Sequence, residues 1–119
     1  MQNGKSNILN GYLHDGKNLV IKAPYEVQKG EGLQIGTLFG IASTWAERDQ
    51  LVPISLAGVF DVHKPDHERW TVGEKIFWDK QKRSFTQQPV PGAFVGVAVE
   101  NSNVDQSDLG RLRILGVAV

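Results

Sequence analysis

The sequence predicts an all-β domain. Short β-rich runs recur at about the 8–12-residue spacing of sandwiches and barrels. No segment sustains the helical apolar period of about 3.6 residues. Glycine is frequent, at 13 of 119 residues, and dispersed, which suits many tight turns rather than a flexible linker. A chain of this length fits one domain with a single modest core. The expected architecture is a small all-β domain over residues 19–119, preceded by an extended N-terminal arm over residues 1–18. Closure into a barrel would remove exposed strand edges.

The elements follow in order. Residues 1–18 are polar and Gly-punctuated, with Ile8, Leu9, Tyr12 and Leu13 as the apolar anchors. Such an arm can fray, or it can dock on a neighbouring subunit. Leu19-Val20-Ile21-Lys22-Ala23 is a strand run stopped by Pro24. Lys29-Gly30-Glu31-Gly32 reads as a turn with positive φ. Leu33-Gln34-Ile35 alternates as a half-buried strand does, and Gly36 breaks it. Leu38-Phe39-Gly40-Ile41-Ala42 is an apolar strand whose internal glycine marks a bulge or a close backbone approach. Thr44-Trp45-Ala46-Glu47 has the spacing of a capping box, but Pro53 limits any helix to a turn or two.

Residues 52–60 supply further strand material, and His63 to Arg69 form a polar loop around Pro65. Lys75-Ile76-Phe77-Trp78 is an aromatic-rich strand followed by a turn over residues 79–83. Ser84-Phe85-Thr86 alternates, and Pro89-Val90-Pro91-Gly92 is a rigid loop. Residues 93–99 are a buried strand and residues 100–108 a polar turn. Residues 109–119 close the chain, with Leu112, Ile114 and Val117 as core candidates.

Composition narrows the function. Thirteen Lys and Arg balance 13 Asp and Glu, so the chain lacks the basic excess that phosphate neutralisation requires of nucleic-acid binders. Lys80, Lys82 and Arg83 read as a solvated turn. With no cysteine there is no disulfide, thiolate metal site or Cys nucleophile. No apolar run approaches the ~18 residues of a membrane span, and the polar start lacks a signal peptide's apolar core.

Chemistry-bearing patterns are weak. Asp61, His63, Asp66 and His67 form the one cluster with metal-ligand character, but Pro65 interrupts the helix that such a His spacing would need. Its plainer reading is an exposed polar loop. Gly30, Gly32 and Gly36 have the wrong spacing for a dinucleotide loop, and strand follows them. Gly4-Lys5-Ser6 lacks the earlier glycine of a phosphate loop. Ser43, Ser55 and Ser84 carry no nucleophile motif, and Asp105 and Asp108 sit in a turn-like stretch. No catalytic residue, cofactor or metal ligand is assigned. Among the tryptophans, Trp78 reads as core. Trp45 and Trp70, flanked by charges, read either as interface residues or as half-buried under loops. Leu9, Tyr12, Leu13, Trp45 and Trp70 are thus the candidate partner contacts. Stacking of Trp45 and Trp70 on sugar rings is an alternative.

Five ordered segments resemble the capsid-decoration, or capsid cement, family of tailed phages. They are Ile21-Lys22-Ala23-Pro24-Tyr25 with Val27, Gly30 and Gly32; residues 36–42; residues 58–64; residues 72–79; and Val95-Gly96-Val97-Ala98 before Leu112-Arg113-Ile114. The recombinase label attached to some members finds no support, for want of a phosphate loop. The charged stretch 44–51, the long arm and the tail 116–119 depart from the family pattern. The resemblance implies a small β-barrel-like or β-tulip-like domain of a structural protein, and not an enzyme. It implies homotrimers bound to the major capsid protein at three-fold and quasi-three-fold positions on the outer capsid surface. There they would stabilise the expanded head, with no nucleic acid and no membrane as partner. A head fibre base, or a tail-associated β module, is the rival virion role.

Overall fold

The computed structural model describes residues 11–102 and 108–119. Among them lie nine strands and no helix, so the all-β expectation is met. The strands are β1 (Asn18–Lys22), β2 (Gly32–Ile35), β3 (Leu38–Ala42), β4 (Leu51–Ser55), β5 (Gly58–His63), β6 (Lys75–Asp79), β7 (Ser84–Thr86), β8 (Phe94–Ala98) and β9 (Leu109–Ile114). They form an antiparallel four-stranded sheet, β1-β4-β3-β2, and an antiparallel five-stranded sheet, β5-β9-β8-β6-β7. The larger sheet curls until its edge strands β5 and β7 touch without pairing. It is a half-barrel; the smaller sheet stays open.

Local chemistry sets the turns. Ile35 lies opposite Leu38, so Gly36 and Thr37 alone join β2 to β3. Gly36 takes φ +60°, the left-handed value that such a turn asks of its first residue. The glycine inside β3 is a close approach: a Cβ on Gly40 would lie 2.8 Å from Ile54 Cδ1. Of the pair Gly30 and Gly32, Gly30 alone has positive φ, at +87°; Gly32 belongs to β2.

Two sequence expectations are revised. The run 52–60 is not one strand: β4 ends at Ser55, and β5 begins at Gly58 in the other sheet. The spacing of Thr44 to Glu47 does not start a helix. Val27 and Ala46 instead exchange N–H···O=C bonds of 2.9 and 3.0 Å. Both side chains are buried, so a tertiary pair supplies the backbone partners that a helical turn would have supplied.

The core has two parts. Between the sheets, Phe39 and Ile41 of the open sheet meet Ile76, Trp78, Phe85, Val95, Leu112 and Ile114 of the half-barrel. Phe39, Trp78 and Phe85 form a ring cluster, with centroids 4.9–5.8 Å apart. On the far face of the open sheet, Leu33, Ala42, Val52 and Ile54 pack under Ala23, Val27 and Ala46, which come from the loops. Residues 115–119 stitch the sheets together. Leu115 N donates to Val95 O, Ala118 N to Thr37 O, and Phe94 and Val119 bond each other in both directions. Ala118 is buried there, whereas Val117, expected in the core, is 46% exposed.

Arg83 adds a second stitch. Its Cζ sits 3.8 Å from the centroid of the Tyr25 ring, whose hydroxyl donates to Gly32 O at 3.1 Å. Burial pushes the Tyr25 phenol above its ordinary pKa, with Arg83 opposing the shift. The unfolded chain therefore ionises first as pH rises. The stability held by the neutral phenol is complete below the ordinary value of 10.0 and is lost as pH climbs through the folded value. The melting temperature should fall above that pH, and it should fall less steeply in Tyr25→Phe. Parallel profiles for the two proteins would contradict this.

Candidate functional site

The polar loop after β5 is where chemistry was most plausible. The structure does not gather Asp61, His63, Asp66 and His67. Among the described residues, no group of three or more His, Cys, Asp or Glu is placed to hold a metal ion. Asp61 and His63 point outward from β5, and Asp66 and His67 are exposed in the turn. Asp61 is taken by Arg111, whose Nε donates to Oδ1 at 2.8 Å, while Arg111 Nη1 reaches Glu100 at 2.6 Å. The hydrogen bond from Arg111 holds the Asp61 carboxyl below its usual range.

The buried chemistry of this loop belongs to residues that carried no signal. Glu68 is 3% exposed. Its carboxylate accepts from Trp70 Nε1 at 3.0 Å, Thr86 Oγ1 at 2.5 Å and Gln87 N at 2.8 Å. Lys64, also buried, donates its ammonium to the carbonyls of Glu68 and Pro65. Ser102 closes the clasp, accepting from Trp70 N at 2.8 Å and donating its own N–H to Trp70 O at 2.9 Å. With its polar atoms paired inside the fold, this arrangement fastens a loop.

A cleft of about 250 Å³ opens beside it, walled by Gly30, Glu31 and Gly32, rimmed by His63, Lys64 and Arg83, and floored by Trp78 and Phe85. It is largely apolar. Ser84 lines it.

What remains is surface. Trp70 is 1% exposed, so it has no face to offer a partner or a sugar ring; the charges flanking it in sequence belong to the loop that covers it. Trp45 is 47% exposed, its Nε1 donating to Glu26 at 3.1 Å between the two loops that cover the open sheet. Tyr12 and Leu13 are exposed, while Leu9 lies outside the described residues.

Two apolar surfaces carried no mark in the sequence reading. One is the β1–β4 face, where Val20 lies opposite Pro53 and Leu51 lies opposite Lys22. All four side chains are exposed. The other is the convex face of the half-barrel, where Val59, Val97, Leu115 and Val119 point away from the core. The available signal was the polar/apolar alternation of Arg111-Leu112-Arg113-Ile114, which the burial continues to residue 119, with even positions buried and odd ones exposed. Single exposed apolar residues are ordinary; contiguous ones mark interaction sites.

No curated protein matches the chain. A solved structure, described as the head fiber gp8.5 N base in bacteriophage phi29, matches with a TM-score of 0.52 at 15% identity. That likeness covers 86% of this chain and 96% of the other, and it is one of fold. The sequence pattern of the phage cement protein family matches residues 13–114. That span takes in all nine strands and leaves out only the start of the arm and the stitching tail. A structural family, rather than an enzyme family, also accounts for a chain whose buried polar groups fasten loops and whose apolar surplus lies outside. The chain belongs to the phage cement protein family.

Proposed function

We propose that this protein binds the outer surface of a tailed-phage head and stabilises the expanded capsid. Family membership over residues 13–114 carries the reading. Physics supports it. Packaged DNA pushes outward on the shell, and a subunit bridging neighbouring capsomers opposes their separation. A balanced charge of 13 against 13 suits a position outside the shell, away from the DNA. The protein acts as a homotrimer at three-fold and quasi-three-fold positions. A closed ring covers apolar patches on each copy without open-ended growth. Many copies on one head add avidity, so each contact can be weak. The arm before β1, with Leu9, Tyr12 and Leu13, and the loop tip at Trp45 are the contacts beyond the sheet faces.

The fold likeness to a head fibre base favours a second reading, a base that anchors a fibre to the head. One experiment separates the two. Purified protein is mixed with undecorated, expanded capsids of the phage that encodes it, and the particles are sedimented, heated and imaged. The cement reading expects saturable binding at a fixed copy number, compact density at three-fold positions and capsids that survive more heat. Binding that adds density and no heat resistance would favour the fibre base. No binding to expanded capsids would reject both.

A further inference from the structure

The convex face of the half-barrel is unusual for an antiparallel sheet that faces water. Such a face normally alternates to polar residues. Here a row crosses four strands, with Val59 opposite Arg113, Arg113 opposite Val97, and Val97 opposite Lys75. Beside it, Leu115 is 40% and Val119 63% exposed. Lys75 leans over the Phe94 ring, 5.4 Å from its centroid.

The charges on this face are unequal. At one edge Arg111 is neutralised by Asp61 and Glu100. Arg113 lies between two valines, and its side chain forms no ion pair among the described residues. An arginine set between aliphatic side chains on an exposed sheet face has the composition of an interface centre: a planar donor fork with water-excluding neighbours.

We infer that this convex face, centred on Arg113, docks on a carboxylate-bearing surface of the capsid shell. The inference rests on the capsid-binding reading above and names the surface that performs it. Charge selects the shell over a second copy. Stacking the face on itself would set Arg113 against Arg113. Stacking it on the other apolar stripe, at Val20, Leu51 and Pro53, would set Arg113 and Lys75 against Lys22. A partner that supplies carboxylates satisfies Arg113 bidentately and Lys75 as a point charge, while the valines exclude water around them.

The test uses the full chain and undecorated expanded capsids. Arg113→Glu and Lys75→Glu should each weaken binding by about tenfold or more, with unchanged circular dichroism. Leu51→Ser should stay within about twofold. Wild-type affinity should fall as salt rises, because the contact is charge-assisted. Lys75 lies at the exposed end of the row, so its variant keeps the test open should Arg113→Glu fold poorly. Unchanged binding in both charge reversals would overturn the inference. So would loss of binding in Leu51→Ser, or loss of self-association with capsid affinity intact. Failure of the wild type itself to bind would instead remove the capsid reading on which the inference stands.

Discussion

Trp70→Ala should cost about 3–5 kcal/mol, a large share of the stability of a domain this size. The indole is 1% exposed and packs in the core between the sheets. Its removal leaves a cavity in that core, over Gly110 of β9. It also strips Glu68 of a donor, so a buried carboxylate loses one of the three donors described for it, two from side chains and one from the Gln87 backbone. The backbone clasp to Ser102 survives, since it uses Trp70 N and O, but it then ties down an emptied loop. Trp70→Phe isolates the second effect. It keeps most of the ring, loses the Nε1 donor, and should cost about 1–3 kcal/mol. Trp45→Ala is the contrast, because that half-exposed indole fills no core and should stay near the ~0.5 kcal/mol of an ordinary surface change. Urea titration of the three variants orders them. Equal midpoints for Trp70→Ala and Trp45→Ala would mean that Trp70 is not the keystone of its loop.

The two tryptophans also show how far sequence could go. Trp45 and Trp70 look alike in sequence, each among charged residues, and the fold sends one to the surface and the other into the core. The difference lies in what each meets. Trp70 lies on Gly110, where a Cβ would come 2.4 Å from the indole, and that glycine stands 40 positions further along the chain. No local pattern encodes such a pairing. Strand runs were legible because alternation and glycine punctuation are local: β1 to β4, β6, β7 and β8 fall on runs that read as β, whereas β5 runs on past Phe60 to His63, into the stretch that reads as polar loop, and β9 carried no strand reading of its own. The break between β4 and β5 was not legible. Leu56 and Ala57 look like strand interior, and only the pairing of β5 with β9 sends the chain to the other sheet. The apolar convex face was half legible. Val117 is a core candidate by its type, yet it is 46% exposed. Its neighbour Ala118 occupies the core instead, since the tail keeps the alternation of β9 through residue 119. The candidate contacts at Tyr12, Leu13 and Trp45 were visible as exposed apolar residues in polar stretches. Arg113 was not, because an arginine between strand residues is ordinary until the valines on either side are known.

Gly96→Ala should be the most damaging single-methyl addition in the larger sheet. Gly96 lies in β8, opposite Ile114 of β9 on one side and Ile76 of β6 on the other. A Cβ there would sit 2.3 Å from the Arg113 carbonyl oxygen and 2.6 Å from Leu112 Cδ1. A side-chain end can rotate away, but a strand carbonyl cannot move without its ladder. Relief therefore requires β9 to shift from β8, and β9 also carries β5. Overpacking usually costs about 1–3 kcal/mol, and this site, crowded by backbone, belongs at or above the upper end. Gly92→Ala controls for backbone conformation. Gly92 has φ +71° and nothing within 4 Å of its would-be Cβ, so its cost is the left-handed penalty of about 1–2 kcal/mol alone. Gly96 has no such φ, so whatever it loses is crowding. The same shift would displace Val97 and Arg113, the centre of the convex row, from each other. Gly96→Ala should therefore lose capsid affinity at temperatures where it is still folded, whereas Gly92→Ala should keep it. If the two variants melt together and bind alike, the close spacing of β8 and β9 is not what holds that face in shape.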